Sequence, residues 1–174
     1  MKIKSILQIV ILLLFAKFSF AQTHLKVVSS AITFTIKNAG LKVNGSFSGL
    51  EADIKFNPTE YKTSTIKASV SANTIKTEIE ARDNHLKKAE YFDVANFPKI
   101  TMESSFIGKD GSSFIGYFKL TIKGITKDIT VPFTFENNVF KGSYTIDRRT
   151  FKVGGNSIIL SDNVKVDLLI TTKN

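Results

Sequence analysis

Between Arg82 and Ile100, nineteen residues (RDNHLKKAEYFDVANFPKI) gather an arginine, a histidine, three carboxylates and a Phe-Pro step. A metal centre would require several imidazole, carboxylate or thiolate donors at ligand spacing. His85 has no second histidine close by, His24 lies far upstream, and the 174 residues include no cysteine. Glu78, Glu80, Asp83, Glu90 and Asp93 could offer carboxylates, but charges on a surface helix are ordinarily solvated. Nucleophilic catalysis fares no better. The run GSFSG at 45–49 has the outline of a nucleophile elbow with Phe47 where the serine should stand. Asp83 precedes His85 by two residues, too close on a helix for one to orient the other. Gly154-Gly155 lacks the rest of a nucleotide fingerprint. No metal, no cofactor and no catalytic residue is expected.

The elements around this stretch repeat with period two. Ile32, Phe34 and Ile36 alternate with polar residues, as do Ile66, Ala68, Val70 and Ala72, then Ile100, Met102, Ser104 and Phe106. The same alternation runs through Phe114–Ile122, Ile129–Phe135, Phe140–Ile146 and Val164–Ile170. One dry face and one wet face mark antiparallel sheet. A further strand alternates through Val43, Gly45 and Phe47, then changes phase before Leu50, Ala52, Ile54 and Phe56, which predicts a bend or bulge at Gly49. Pro132, inside a strand, predicts an edge or an unpaired position. Ile79, Arg82, Leu86 and Ala89 fall at helical spacing behind a capping-box pattern, Thr77-x-x-Glu80. Eight strands with one short helical insert predict a closed barrel, just wide enough to be filled by side chains or to hold one ligand. On pattern alone a sandwich is the alternative.

The first residues stand apart. Lys2 and Lys4 precede an apolar run from Ile6 to Phe15, and Ser19 and Ala21 form a small-x-small site. Residues 1–21 read as a cleaved secretory signal and 22–174 as one domain; an uncleaved anchor is the minority reading. Without Lys2, Lys4 and Lys17, 21 basic residues face 15 acidic ones, a net charge of +6. The lysines are spread along the chain, so the surface is soluble and basic, with at most transient contact with anionic membrane headgroups. No basic-aromatic motif points to nucleic acid.

RDNHLKKAEYFDVANFPKITMESSF resembles the signature segment of the YceI-like family of polyisoprenoid-binding proteins. FTIKNAGLKVNGSFSGLEADIKF, IKASVSANTIKTEIEARD, LTIKGITKDITVPFTF, IDRRTFKVGG and DNVKVDLLI follow the family's order. Lys88, Met102 and Phe118 depart from its pattern; an inward Phe118 would narrow or shorten a cavity. The resemblance implies an all-β, eight-stranded antiparallel lipocalin-like barrel, periplasmic or secreted. It also implies a non-catalytic role holding a polyisoprenoid, an isoprenoid quinone or another long-chain lipid. Members often dimerise, so a homodimer is one expectation.

On such a barrel the inward phase supplies the candidate cavity lining: Phe34, Ile36, Phe47, Val70, Met102, Phe106, Phe118, Leu120, Phe133, Phe135, Tyr144 and Leu168. Gly116 and Gly142 would leave space between them. Arg82, His85, Leu86, Phe92 and Phe97 are the candidate mouth, with Ile79, Leu86, Phe92 and Phe97 packing inward. Arg82 could meet a phosphate through its planar fork, or it and Asp83 could simply anchor the helix to nearby backbone. Large apolar side chains can also plug a barrel, so two readings compete with the lipid carrier: a filled interaction module, and an enzyme acting on a lipid in the cavity.

Overall fold

The computed structural model describes residues 24–174; the leader expected at 1–21 lies outside the described residues. The strands are β1 (His24–Asn38), β2 (Leu41–Phe47), β3 (Glu51–Lys55), β4 (Thr65–Ser71), β5 (Lys99–Asp110), β6 (Ser113–Ile122), β7 (Ile125–Glu136), β8 (Val139–Asp147) and β9 (Leu160–Lys173). Neighbours pair antiparallel, and β1 pairs with β9 from Lys26↔Lys173 to Asn38↔Leu160, which closes the sheet. β2 and β3 are halves of one wall: β2 pairs with β1 over Ile32–Asn38, and β3 at His24 and Leu25. The break falls at Ser48–Leu50, with Gly49 at φ +71°, where the phase change placed it. The barrel therefore has eight walls, as expected. Three hairpins turn through two residues of positive φ, Ala39-Gly40, Lys123-Gly124 and Asn137-Asn138, the twist that suits tight antiparallel returns.

Two irregularities shape the wall. The β5–β6 register slips between Ser104 and Phe106, so Phe106 faces outward, 47% exposed beside Tyr117, and Ile107 takes the inward place. This corrects the expectation for Phe106: period two was unbroken in sequence, but the extra residue reverses the face. At the slip, Ser104 Oγ accepts the Ile66 amide at 2.9 Å, a donor the interrupted β4–β5 ladder leaves unused. Pro132 stands where the β7–β8 ladder, confined to Phe133–Glu136, begins. Beyond it the two strands splay. Phe151 and Val153, at and just after a 3-10 turn (Arg148–Phe151), pack with Ile125 and Ile129 of β7 and Tyr144 and Ile146 of β8.

The end of the barrel that holds the β5–β6 and β7–β8 hairpins is plugged. Phe56, 1% exposed, sits with ring centroids 5.0–5.9 Å from Phe114, Phe133, Phe135 and Phe140, all edge-on. Leu25, Ile54, Ile107 and Ile170 complete that cluster. Phe135, expected in the cavity wall, belongs to this plug. Phe56→Ala should lower unfolding free energy by about 3–5 kcal/mol, the usual result of opening an aromatic-sized cavity, as read from the urea midpoint at constant m.

Candidate functional site

The other half of the barrel is hollow. An upper cavity of about 170 Å³ and a lower one of about 140 Å³ share Ile32, Val70, Ile100, Leu120 and Tyr144 in their walls, so they read as two chambers of one tunnel. Of the expected lining, Phe34, Ile36 and Phe47 border the upper chamber; Met102, Phe118, Phe133 and Leu168 border the lower; Val70, Leu120 and Tyr144 border both. Phe34 can lie flat over β2 because Gly45 stands opposite it; a Cβ there would fall 2.2 Å from the ring. Phe47 continues the aromatic row to Phe92 at 5.6 Å. Gly142 borders the lower chamber, as the spacing suggested. The space at Gly116 is instead taken by the Phe118 ring, which leans onto it.

Arg82, Leu86 and Phe92 join the upper chamber from the β4–β5 excursion, which carries α1 (Glu80–Leu86). Three other expectations for this excursion are corrected. His85 is exposed, edge-on to Tyr91 and 4.0 Å from Glu90, and borders neither chamber. Phe97 packs on the β6–β7 turn, where Gly124 gives its ring room. Ile79 is 52% exposed rather than inward, because Glu78 takes a positive φ of 68° and turns the chain before the helix.

The capping box does not form; Thr77 is used differently. Asp83, 3% exposed, accepts the Thr77 amide at 2.7 Å and its hydroxyl at 2.5 Å. Arg82 Nε donates to the same hydroxyl at 2.7 Å, and Nη2 donates to the Thr77 carbonyl. Arg82 and Asp83 thus anchor the helix to backbone, while Nη1 of Arg82 has no partner among the described residues. The Thr77 hydroxyl, joined by its amide and by the charges of Lys76 and Arg82, holds the Asp83 carboxyl below the usual range against the opposing effect of burial.

Sequence reasoning missed a second clamp. Arg148, 4% exposed, donates Nη1 to the carbonyls of Val153, Gly154 and Gly155 at 2.8, 2.6 and 2.9 Å. Its Nε reaches the Ser161 carbonyl at 2.9 Å, and Nη2 reaches the Leu160 carbonyl and Asp162. Three successive carbonyls converge on one nitrogen because Gly154 and Gly155 both adopt positive φ, which is the use of that glycine pair. Gly154 also donates to the Glu90 carbonyl and carries the Tyr91 ring, so the β8–β9 loop and the helical excursion are tied together over the tunnel. The one signal in sequence was an arginine pair at a strand end ahead of two glycines.

The tunnel wall is otherwise mostly apolar, with Thr33 and Asn38 at the upper chamber and Ser69 and Thr101 at the lower. Tyr144 is the exception at the neck: its hydroxyl has no partner among the described residues, and burial pushes its pKa well up. Among the described residues no cluster of three or more histidine and acidic side chains could hold a metal ion.

Because the folded Asp83 pKa lies below its unfolded value, the stability it supplies is intact above about pH 5 and is lost as pH falls through the carboxylate range. Asp83→Asn should lower the melting temperature at pH 7 and flatten its fall between about pH 5 and pH 2, as read by thermal melts across that range.

A sequence profile for the YceI-like domain matches residues 24–172. Among curated relatives, a UPF0312 protein of Yersinia pestis is 29% identical over 140 residues, 79% of this chain and 71% of the relative. The crystal structure of BcnA from Burkholderia cenocepacia superposes with a TM-score of 0.79 at 24% identity, over 83% of this chain and 96% of that one. A polyisoprenoid binding domain from Saccharophagus degradans, implicated in plant cell wall breakdown, superposes with a TM-score of 0.62 at 14% identity, over 86% and 97%. At these identities the two solved structures bear on the fold, and the profile bears on descent. The chain belongs to the YceI-like family.

Proposed function

We propose that this chain is an exported, non-catalytic carrier that holds the tail of a long amphiphilic lipid, a polyisoprenoid or isoprenoid quinone, along the tunnel. The observation that carries the reading is an apolar tunnel plugged at one end and hollow at the other. Its charged neighbours Arg82 and Arg148 are already bonded to backbone, which favours binding over catalysis. The likeness to a polyisoprenoid binding domain supports the ligand class. The leader pattern in residues 1–21 supports export to the periplasm or beyond.

Geometry bounds the tail. Leu160 borders the upper chamber and Ile170 the lower. At ~3.3 Å per residue and a strand tilt of ~40°, that stretch of β9 rises ~25 Å along the barrel axis. Given bonds of ~1.5 Å, this suits an extended chain of roughly 20 carbons. Burying that many methylenes from water would yield about 16 kcal/mol, close to the practical ceiling of non-covalent affinity. A tail arriving from a bilayer gains almost none of this, so transfer is nearly neutral and the head group decides. Arg82, with Nη1 to spare at the upper chamber, is the side chain assigned to a phosphate head.

Native mass spectrometry of the protein purified from its own host, followed by lipid extraction, should find a bound isoprenoid-type mass; a clean apo mass that persists after incubation with polyprenyl phosphate and quinone defeats the reading. Phe118→Ala should shift the extracted lipids to longer chains, and Val70→Trp, at the neck, to shorter ones. Arg82→Gln should weaken polyprenyl phosphate binding about tenfold, the scale of one lost charged hydrogen bond, and leave the matching alcohol unchanged. Equal affinity of Arg82→Gln and wild type for both ligands would remove Arg82 from head-group recognition.

A further inference from the structure

Around the tunnel mouth, apolar side chains point into solvent. Ile158 is 106% exposed, Leu41 74% and Ile159 58%. They lie on two loops that touch: the Ala39 amide donates to the Ile159 carbonyl at 2.7 Å, and Asn38 is in register with both Leu41 and Leu160. Asn38 and Leu160 themselves border the upper chamber, so this apolar rim is continuous with the tunnel.

Directly behind Leu41, Lys37 and Lys42 stand opposite one another across the β1–β2 ladder. Like charges so placed repel. Some lysines elsewhere on the barrel are matched to carboxylates, as in Lys67–Glu103, Lys99–Glu51 and Lys119–Asp128, while Lys26 and Lys173 face each other in the same way at the far end of β1. What sets Lys37 and Lys42 apart is their place beside the apolar rim of the mouth. Neither Lys37 nor Lys42 makes an ion pair among the described residues. A pair of unmatched cations behind exposed aliphatic tips fits a surface with an apolar interior and an anionic face.

We infer that Leu41, Ile158 and Ile159, with Lys37 and Lys42, form a docking rim that seats the tunnel mouth on an anionic lipid bilayer. The aliphatic tips enter the acyl boundary, and the lysines meet the headgroups. A second copy of the chain fits less well. A two-fold contact through this patch would set one lysine pair against the other, and three side chains fall short of the ~800 Å² per partner of a stable interface. The inference takes its purpose from the carrier reading, but its chemistry stands apart from what the tunnel holds.

The test is flotation of the mature protein with phosphatidylglycerol–phosphatidylethanolamine vesicles and with pure phosphatidylcholine vesicles. Wild type should float with the anionic vesicles, weaken with added salt, and bind neutral vesicles poorly. Lys37→Gln with Lys42→Gln should weaken anionic-vesicle binding roughly thirtyfold. Leu41→Asp with Ile158→Asp should abolish it, without loss of melting temperature because both positions are exposed. Wild type that stays off anionic vesicles, or variants that bind them as wild type does, would overturn the inference. So would a wild-type dimer that the aspartate pair turns into a monomer, since the occupant would then be a second copy. Lipid content, measured separately after loading from detergent micelles, keeps the two readings apart. A protein that floats but carries no lipid loses the carrier role and keeps the rim; one that carries lipid but does not float does the reverse.

Discussion

β1 needs hydrogen-bond partners along both edges, and the way it finds them sets the shape of everything else. One edge is occupied by β9 from Lys26 to Asn38. The other is divided between β2 and β3, which cannot run as one straight strand and still follow the curving wall. The bend at Gly49 resolves this. It turns β3 toward β4 and leaves the outer edge of β2 without a strand beside it. That edge is met instead by the segment after β4, through the Ser46↔Lys76 bridge, and this brings the helical excursion over the upper chamber. A similar gap opens across the barrel, where β7 and β8 part beyond Pro132 and the Arg148–Phe151 turn fills the space. The mouth is thus built from the two places where strand pairing runs out.

Buried irregular backbone beside an apolar tunnel carries amides and carbonyls, and each requires a partner. The two clamps supply them. Arg148 serves five carbonyls with one guanidinium, and the Asp83–Thr77–Arg82 set serves an amide, a hydroxyl and a carbonyl. A buried charge is a costly way to stabilise a core. Here its worth is geometric: a neutral side chain could not collect so many acceptors at one point. Both guanidinium groups border the upper chamber, with most of their donors already committed to backbone.

The same logic separates what the sequence discloses from what it hides. Strand positions, the bend at Gly49 and the break at Pro132 were legible because each is a local rule of pattern or backbone chemistry. Phe106 was misplaced because a bulge is a property of the pairing between two strands, and no residue of β5 announces it. Phe135 shares the inward phase with Phe133 yet fills the plug, since depth along the axis depends on stagger and not on period. Thr77 and Glu80 had the spacing of a capping box, but Asp83 outcompeted it for Thr77 once burial made that carboxylate need two donors. Arg148 escaped notice because its acceptors are carbonyls, which every residue carries and no sequence pattern marks.

A tunnel of this kind faces a constraint from the solvent its cargo comes from. An apolar wall cannot distinguish a tail in the barrel from a tail in the bilayer, since both remove the same surface from water. In the carrier reading the wall therefore sets which chains fit, through the Phe118 ring below and the five-residue neck above, and hardly sets how tightly they bind. Tightness has to come from the few polar groups within reach: Tyr144 at the neck and Arg82 at the upper chamber. Both are held by a rigid surround, Tyr144 by the cluster around Phe151 and Arg82 by its bonds to Thr77. A carrier that exchanges cargo with a membrane benefits from this division, because near-neutral transfer of the tail keeps loading and release both within reach.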